Sequence, residues 1–501
     1  MLGIDIGTTR SKAAHIDPAG NPNIILNDRG EPFTVSIIHY EQRNAPLVGL
    51  DALEQGYINT DLCVRNSKLK LGTTENLING NPPVIATDAA AALIGYLKKM
   101  AEKQLGLQIT ECVATCPANF KDDSKQALLE AFERNGLKVL RLYPEPSAAG
   151  LAYALNKGSE KKCLIYDFGG GTFDVSILHV KGAQIIILAT EGVPALGGND
   201  INECLKKIVL DKAKAQWGKA PDLTDALFRL DIDQRVEAAK ISLNNRKKVS
   251  VVLHHHGSQA IVEVTQEEFY KSIDPLIQQS LDAVQKALKS VGLTAKDIDH
   301  LVMVGGTSRL SYIQQKVADF TGLYPKTDID PDRAVVYGAA YACIAEMAKE
   351  GKTASIRGQV IPAPEIFVRD VTAYSVGCCV IDNSGSKNRL INAVIIPKNT
   401  PIPCQRSDQF YLEHEDQVEA RIEILQGEAD ADREKCLLIG ELALKNLPKE
   451  TKRSPRIQVE YIIDSNGMVT ATATDKVSGT QQTVSVDYKK GIKPKDKPQA
   501  A

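Results

Sequence analysis

The sequence has no apolar run that approaches the roughly 18 residues needed to span a bilayer. Its N-terminus, from Met1 to Asp5, begins like a strand and lacks the charged start of a cleavable signal. The 60 basic and 62 acidic residues leave a formal net charge of −2, which gives no bias toward nucleic acid or anionic membrane. These absences predict a cytoplasmic protein that binds neither nucleic acid nor membrane.

Cysteine pairs with metal-site spacing are also absent. The ten cysteines are scattered through mostly apolar stretches, and no two of them form a Cys-x-x-Cys pair. Cys112 and Cys116 flank strand-like residues without nearby histidines. This usage predicts buried free thiols in a reducing compartment.

Two common nucleotide-binding signatures are missing as well. No Gly-x-x-x-x-Gly-Lys-[Ser/Thr] loop occurs, and no Gly-x-Gly-x-x-Gly opens a helix after a strand. The P-loop and Rossmann classes are therefore excluded. No tandem repeat of 20 to 50 residues is visible either.

The first 350 residues alternate short apolar strands with longer helical patterns, which predicts an α/β fold. Asp88 precedes an apolar periodic run and Gly136 follows another, as helix start and stop signals do. The predicted strands are Leu2–Ile6, Cys112–Cys116, Cys163–Asp167 and His300–Val304. The predicted helices are Ala89–Gln104, Asp123–Asn135, Asn199–Ala215, Gln234–Leu243 and Gln266–Ser290.

The pattern changes after residue 350. Residues 351–371 form a linker that is rich in Gly, Ser and Pro and ends in the apolar segment Ile366–Val371. Residues 372–487 show alternating strands with turn signals and no helical pattern, which predicts an antiparallel β-domain. Residues 488–501 are rich in Lys and Pro, which predicts a disordered tail.

Two short segments carry the same chemistry, Gly3-Ile-Asp-Ile-Gly-Thr-Thr9 and Tyr166-Asp-Phe-Gly-Gly-Gly-Thr-Phe-Asp174. In each, a strand contains an aspartate near its end and runs into glycines and threonines. Glycine lets backbone N–H groups point into one concavity, and a carboxylate can hold a divalent cation. Either loop alone could be a plain hairpin, but the pair predicts a clamp around one polyphosphate and two lobes of related topology.

Further motifs support this interpretation when they are taken together. Val304-Gly-Gly-Thr-Ser-Arg309 again runs from a strand into a double glycine, and Leu196-Gly-Gly198 opens a helix. Singly, each motif could be an ordinary turn. With Cys116-Pro-Ala-Asn-Phe120, Glu145-Pro-Ser-Ala-Ala149 and the segment 330–340, they resemble the heat shock protein 70 chaperones, the DnaK family.

The resemblance covers Met1 to about Asp487 and implies a fold and a function. The fold would be α/β, with a two-lobed actin-like ATPase domain followed by an all-β peptide-binding sandwich. The function would be that of an ATP-dependent chaperone that binds exposed hydrophobic segments. Its cofactors would be ATP/ADP and Mg²⁺, with K⁺ as a further candidate ion. A J-domain co-chaperone and an exchange factor would be its partners.

The resemblance also implies roles for individual residues. Asp5, Asp167 and Asp174 would hold the metal, and Glu145 would position the attacking water with Asp167 and Thr172 beside it. The phosphates would contact Gly7, Thr8, Thr9, Gly169, Gly170, Gly171 and Thr172. The adenosine would contact Gly197, Gly198, Glu237, Lys240, Gly305, Gly306, Arg309 and Asp332. From the sequence itself, Glu237 and Lys240 are only an i,i+3 surface pair.

The lysine that neutralises charge at the transferring phosphate is the least defined of these roles. The distance to Gly72 selects Lys68, whereas counting from Asn59 and Thr60 selects Arg65. We favour Lys68, because a lysine is a compact point charge that an arginine imitates poorly.

The resemblance further implies coupling between the two domains. Pro117 would relay the nucleotide state, Arg141 and Asp370 would support J-domain stimulation, and Ile366–Asp370 would be the docking linker. Two departures from the family bear on this coupling. Arg369 occupies a position of the linker that is apolar in the family, and Pro144, directly before Glu145, occupies a position where the family has a polar residue. As an alternative, the linker could be an ordinary edge strand.

In the β-domain, the resemblance implies a peptide pocket lined by Cys378, Ile381, Phe410 and Ala420. Ile381 and Phe410 could equally be sandwich core. Since the family usually continues with a helical lid, the absence of one predicts fast peptide exchange with ATP and with ADP. Two other functions remain, a nucleotide-binding scaffold with little turnover and a small-molecule kinase or filament protein, although the β-domain argues against the latter.

Overall fold

The computed structural model describes residues 1–42, 45–78, 82–154, 160–182, 184–326, 330–356, 358–383, 388–414, 416–428, 431–449 and 454–485. The chain divides into two units, residues 1–120 with 127–369, and residues 121–126 with 370–501. The predicted disordered tail, residues 488–501, lies outside the described residues.

The first part of the larger unit is a mixed sheet in which a hairpin leads into parallel strands. The strands are β1 (Leu2–Asp5), β2 (Arg10–Ile16), β3 (Pro22–Ile24), β4 (Thr34–Val35), β5 (Ile37–His39), β6 (Leu47–Val48), β7 (Cys63–Arg65), β8 (Glu111–Cys116) and β9 (Lys138–Pro144). The order is β3-β2-β1-β8-β9, and β5, β6 and β7 form a separate small sheet. Strand β1 pairs antiparallel with β2 and parallel with β8.

The second part of the larger unit repeats this arrangement. Its strands are β10 (Lys161–Phe168), β11 (Phe173–Lys181), β12 (Gln184–Val193), β13 (Lys248–His255), β14 (Ser258–Thr265), β15 (His300–Val304), β16 (Ser355–Ile356), β17 (Gln359–Val360) and β18 (Phe367–Val371). Strand β10 pairs antiparallel with β11 and parallel with β15, as β1 does with β2 and β8. The prediction of two lobes of related topology is therefore confirmed.

The helices lie between these strands, as the α/β pattern predicted. They are α1 (Leu50–Gly56), α2 (Ala86–Leu105), α3 (Asp122–Glu133), α4 (Glu145–Ala154), α5 (Gly198–Trp217), α6 (Ala226–Leu243), α7 (Gln266–Ser290), α8 (Ser311–Thr321) and α9 (Ala334–Lys349). Helix α7 has the predicted ends, because Thr265 and Glu268 form a reciprocal capping box. Helix α2 begins three residues earlier than predicted, because Asp88 binds the backbone N–H of Ile85 from inside the first turn.

The smaller unit is an antiparallel β-structure, as predicted. Its strands are β19 (Val376–Asp382), β20 (Arg389–Ile396), β21 (Pro401–Ile402), β22 (Cys404–Phe410), β23 (Glu419–Gln426), β24 (Leu437–Lys445), β25 (Ile457–Ile463), β26 (Val469–Asp475) and β27 (Gln481–Ser485). Eight of them form two four-stranded sheets, β20-β19-β23-β24 and β22-β25-β26-β27, and β21 pairs antiparallel with Asp370 and Val371. Inward residues of both sheets, such as Ile424, Leu442 and Tyr461, share one core.

Two sequence predictions concern the cysteines, which were expected to be buried thiols, and the absence of a segment that spans a membrane. All ten cysteines lie in described segments and none of them forms a disulfide there; six are buried and four are partly buried. Among the described helices, none combines the length and the apolar character that crossing a membrane requires.

Candidate functional site

The two Asp/Gly/Thr segments form the turns of equivalent hairpins, β1–β2 and β10–β11. The turns face each other. A Cβ atom on Gly170 would lie 2.6 Å from Oγ1 of Thr9, and one on Gly171 would lie 2.8 Å from Cγ2 of Thr8. Real Cβ atoms do not approach other atoms so closely, so the chain needs glycine where the two loops meet.

Buried aromatic rings beneath the second loop hold its strands in place. Tyr166, Phe168 and Phe173 are fully buried, with ring centroids 4.7 Å apart for Tyr166–Phe173 and 5.4 Å for Phe168–Phe173. Each such pair contributes about 0.5–1.5 kcal/mol beyond its buried area. The loop therefore starts and ends on a rigid base.

The other two glycine motifs close around the second loop. The backbone N–H groups of Gly198 and Asn199 donate to the carbonyls of Gly169 and Gly170, at 3.0 and 2.8 Å. The hydroxyl of Thr307 donates to the same Gly169 carbonyl at 2.8 Å. Gly305 has a φ of +82°, and a Cβ there would lie 2.4 Å from the carbonyl oxygen of Phe168. All four motifs thus meet at one place in the larger unit.

Four carboxyl side chains and one lysine are buried together beside these loops. Asp5, Asp167, Asp174 and Glu145 are each less than a tenth exposed, and so is Lys68. The Lys68 ammonium lies 2.5 Å from Oε1 of Glu145.

The alternative basic residue lies elsewhere. Arg65 is 3.9 Å from Oδ2 of Asp233 on helix α6, and its side chain is a quarter exposed. The difference arises at Asn66, whose φ of +54° starts the 3₁₀ turn Ser67–Lys70 that buries Lys68. The geometry brings Lys68 rather than Arg65 into the carboxyl cluster.

The electrostatics of this cluster favour a bound cation. Burial and the charge of Glu145 raise the pKa of Asp174 to about 8 and hold the pKa of Asp167 well above its usual value. Burial acts to lower the pKa of Lys68, but the charges of Glu145 and Asp5 outweigh it and the pKa is raised. Within the described chain, Oδ1 of Asp174 is buried without a hydrogen bond. One lysine leaves negative charge uncompensated, so the residues present fit a divalent cation.

The adenosine candidates form two ion-paired groups next to the glycine motifs. Nζ of Lys240 lies 2.7 Å from Oε2 of Glu237, which also accepts from Asn202 at 2.7 Å. A Cβ on Gly198 would lie 3.4 Å from that Nζ. Helix α6 therefore presents this pair to the turn at Gly197.

The second group lies at the other double glycine. Nε of Arg309 is 2.8 Å from Asp332, and Nη2 is 2.6 Å from Asp330. A Cβ on Gly306 would lie 3.5 Å from Oδ1 of Asp332. Arg309 and Asp332 thus meet at Gly306, which is the arrangement that a shared adenosine-binding role would require.

Three residues that form hydrogen bonds with the candidate site were not among the predicted site residues. Thr307 was within reach of sequence reasoning, because it directly follows Gly305 and Gly306. Thr115, whose hydroxyl donates to Oδ1 of Asp5 at 3.0 Å, and Asn202 carry no sequence signal. Both reach the site through long-range packing.

The coupling candidates occupy different parts of the chain. Arg141 is buried on β9 and contacts Oε1 of Glu346 at 3.4 Å and the carbonyl of Val368 at 3.5 Å. Strand β18 of the linker pairs in parallel with β12, with Arg369 opposite Ile186. Pro117 directly follows strand β8 of the larger unit. Asp370 is buried and begins the segment 370–501 of the smaller unit. Residues 367–369 of the linker thus add a strand to the larger unit.

The peptide-pocket candidates do not all lie on one face. Cys378 and Ala420 are buried in the sandwich core, and Phe410 packs against that core. Ile381 is three residues beyond Cys378 on the same regular strand, and it is 38% exposed. Because side chains alternate along a strand, Ile381 points away from the core that contains Cys378. The pocket remains a prediction.

Comparisons of the sequence with a family model and with known proteins found similar proteins over nearly the whole chain. The family model described as Hsp70 protein matches residues 1–81 and 74–500. A protein named Chaperone protein DnaK from Thermotoga neapolitana is 35% identical over 497 residues, which cover 97% of this chain and 80% of that protein. Its namesake from Thermosipho melanesiensis is 33% identical over 506 residues, which cover 99% of this chain and 81% of that protein.

Proposed function

This chain belongs to the Hsp70 family and is an Hsp70-type chaperone, and we propose that it works by hydrolysing ATP. The observation that carries the proposal is the buried Lys68–Glu145 pair beside two facing Asp/Gly/Thr loops. A structural ion pair alone would not need three further buried carboxyl groups beside it. A site that binds a polyphosphate and its cation does need them.

In the proposed reaction, the side chains position charge and water and take little part in covalent chemistry. The loop N–H groups and the hydroxyls of Thr8, Thr9 and Thr172 bind the β- and γ-phosphates. Glu145 orients the attacking water, and Lys68 stabilises the charge that develops on the transferring phosphate. Positioning and electrostatic stabilisation supply most of the catalysis in phosphoryl transfer.

We assign the cation to the carboxyl cluster. Asp5, Asp167 and Asp174 would hold Mg²⁺, with K⁺ as a companion. When bound, Mg²⁺ would neutralise the phosphates and bridge them to the protein. The raised pKa of Asp174 and of Asp167 supports this assignment, because a cation would compensate the buried negative charge.

For the smaller unit, we propose binding of extended hydrophobic segments of unfolded proteins by the β-sandwich. The relatives' printed name, Chaperone protein DnaK, supports this activity. A J-domain co-chaperone and a nucleotide exchange factor in the cytoplasm would be the partners. The buried contact of Arg141 with the carbonyl of Val368 supports a linker that responds to the nucleotide.

Single-turnover ATP hydrolysis by the full chain, with and without an unfolded peptide and a J-domain, tests the proposal. Lys68→Met removes the charge and keeps the length, so hydrolysis should fall by about 10²–10³-fold. ATP binding, measured by calorimetry, should survive. Arg65→Ala is the matched control and should hydrolyse ATP near the wild-type rate.

Two outcomes would contradict the proposal. An unchanged rate in Lys68→Met would remove Lys68 from the reaction. Tight ATP binding by the wild-type chain with no stimulated hydrolysis would instead support a nucleotide-binding scaffold.

A further inference from the structure

A cluster of potential metal ligands lies away from the phosphate loops. Strands β13 and β14 form a hairpin whose tip contains His255 and His256, and Asp225 caps the N-terminus of helix α6 nearby. One donor atom from each of the three side chains lies within 4.8 Å of the other two. The ion pairs and contacts of the nucleotide site involve none of these residues.

Each donor is available in a different way. Oδ1 of Asp225 accepts hydrogen bonds from the N–H groups of Leu227 and Phe228, at 3.0 and 3.1 Å, so Oδ2 takes no part in this helix cap. That oxygen faces Nε2 of His255 at 3.9 Å, beyond hydrogen-bond distance.

A second observation, apart from the clustering of the three side chains, points to a ligand: the buried imidazole of His255. Its side chain is only 6% exposed and packs on Phe228 with ring centroids 4.5 Å apart. Within the described residues, its buried Nε2 makes no hydrogen bond. A buried polar atom without a partner destabilises the folded state, and a metal bond would remove that cost.

His256 completes the set from the turn itself. It is exposed and has a φ of +47°, followed by Gly257 at +77°, so the turn bends back beside the preceding strand. The two imidazole rings lie 4.0 Å apart. A non-glycine residue in this left-handed conformation is uncommon, and here it keeps the second imidazole beside the first.

We propose that Asp225, His255 and His256 form a binding site for a divalent transition metal of the Zn²⁺ class. Two imidazoles and one carboxylate are ligands that Zn²⁺ accepts, with water in the fourth position. With bonds of about 2.0–2.2 Å, tetrahedral ligand atoms lie about 3.4 Å apart. The three donors must close by about an ångström, which rotation of the exposed His256 and of Asp225 about their side-chain bonds achieves.

The bound metal would join the tip of the β13–β14 hairpin to the start of helix α6. A ligand that binds only the folded state stabilises it by mass action. Helix α6 also carries Glu237 and Lys240, so the site stabilises an element that borders the nucleotide candidates. The proposal itself concerns metal binding and does not depend on ATP hydrolysis.

Calorimetric titration of the untagged full chain with Zn²⁺ tests the site, with excess Mg²⁺ present so that the other carboxylates are occupied. We expect one strong site, a higher unfolding temperature with Zn²⁺, and visible absorption bands of tetrahedral coordination when Co²⁺ replaces it. Asp225→Asn keeps the helix cap, since Asn caps as well as Asp does. Asp225→Asn and His256→Ala should each weaken binding by about tenfold or more.

His254→Ala is the matched control. His254 is exposed and lies on the opposite face of the strand from His255, so its loss should leave the affinity unchanged. The proposal is overturned if the wild-type chain binds no Zn²⁺, or if the two ligand variants bind it as tightly as the control does.

Discussion

The ion pair between Arg456 and Asp475 should be a main determinant of the stability of the smaller unit. Nε and Nη2 of Arg456 lie 2.6 Å from the two carboxylate oxygens of Asp475. The side chains are 1% and 0% exposed. Asp475→Asn would remove the negative charge that Asp475 places against the buried guanidinium, and breaking such a pair costs about 3–5 kcal/mol.

The size of this loss follows from burial, and a second pair in the same unit offers the comparison. Nε and Nη2 of Arg433 contact the carboxylate of Glu423 at 2.8 and 3.2 Å, but these side chains are 29% and 32% exposed. Exposed pairs contribute about 1 kcal/mol or less. Glu423→Gln is therefore the matched control, because it removes the carboxylate from the same kind of arginine–carboxylate pair at a solvent-exposed position.

Hydrogen exchange of the full chain, followed by mass spectrometry on peptides from β25 and β26, measures the free energy of opening directly. Asp475→Asn should speed exchange there by about 10²–10⁴-fold, since each 1.4 kcal/mol is a factor of ten. Glu423→Gln should change it by about fivefold or less, from the limit of about 1 kcal/mol for exposed pairs. The fluorescence of Trp217, the only tryptophan, reports the larger unit and should stay unchanged. Equal losses in the two variants would refute the argument from burial.

Three further predictions concern single contacts. The hydrogen bonds from Arg456 lower the pKa of Asp475 in the folded state. The ion pair therefore stabilises the folded unit fully above the ordinary aspartate pKa of about 3.9, and this stabilisation is lost as the pH falls below that value. Acid should therefore destabilise the wild-type unit more than Asp475→Asn in urea titrations, and parallel curves would contradict this. Gly305→Ala should weaken ATP binding, measured by calorimetry, by tenfold or more. The new Cβ would clash with the carbonyl of Phe168, and the left-handed backbone adds a strain of about 1–2 kcal/mol. Gly20 is equally left-handed but a Cβ there would meet no other atom, so Gly20→Ala should leave the ATP affinity unchanged. Arg141→Ala should speed exchange of the Val368 amide region, and unchanged protection there would argue against its role in holding the linker.

Much of the fold could be predicted because the signals are local. The ends of helix α7 matched because the capping box at Thr265 lies within four residues of sequence. Strand β15 matched because a short apolar run ends at the glycines that follow Val304. The start of helix α2 was misjudged because an aspartate in the first turn can bind the N-terminal amide as well as cap it.

The candidate site was predictable in part for the same reason. Glycine motifs identify backbone that must bend or approach closely, so the four loops could be named from sequence. From the sequence, Lys68 was only favoured over Arg65, because the choice of the side chain that turns inward depends on one left-handed residue, Asn66. The separation of Ile381 from Cys378 likewise followed only from strand register.

By itself, the sequence determined the two-part architecture, the paired Asp/Gly/Thr loops and the family, since periodicity and short motifs depend only on residues that are close together in the chain. The tertiary structure alone decided that Lys68 meets Glu145 and that Asp225 meets His255 and His256. In both cases the partners are separated by 30 or more positions along the chain. Their contact depends on the path of the whole backbone, which local patterns do not specify.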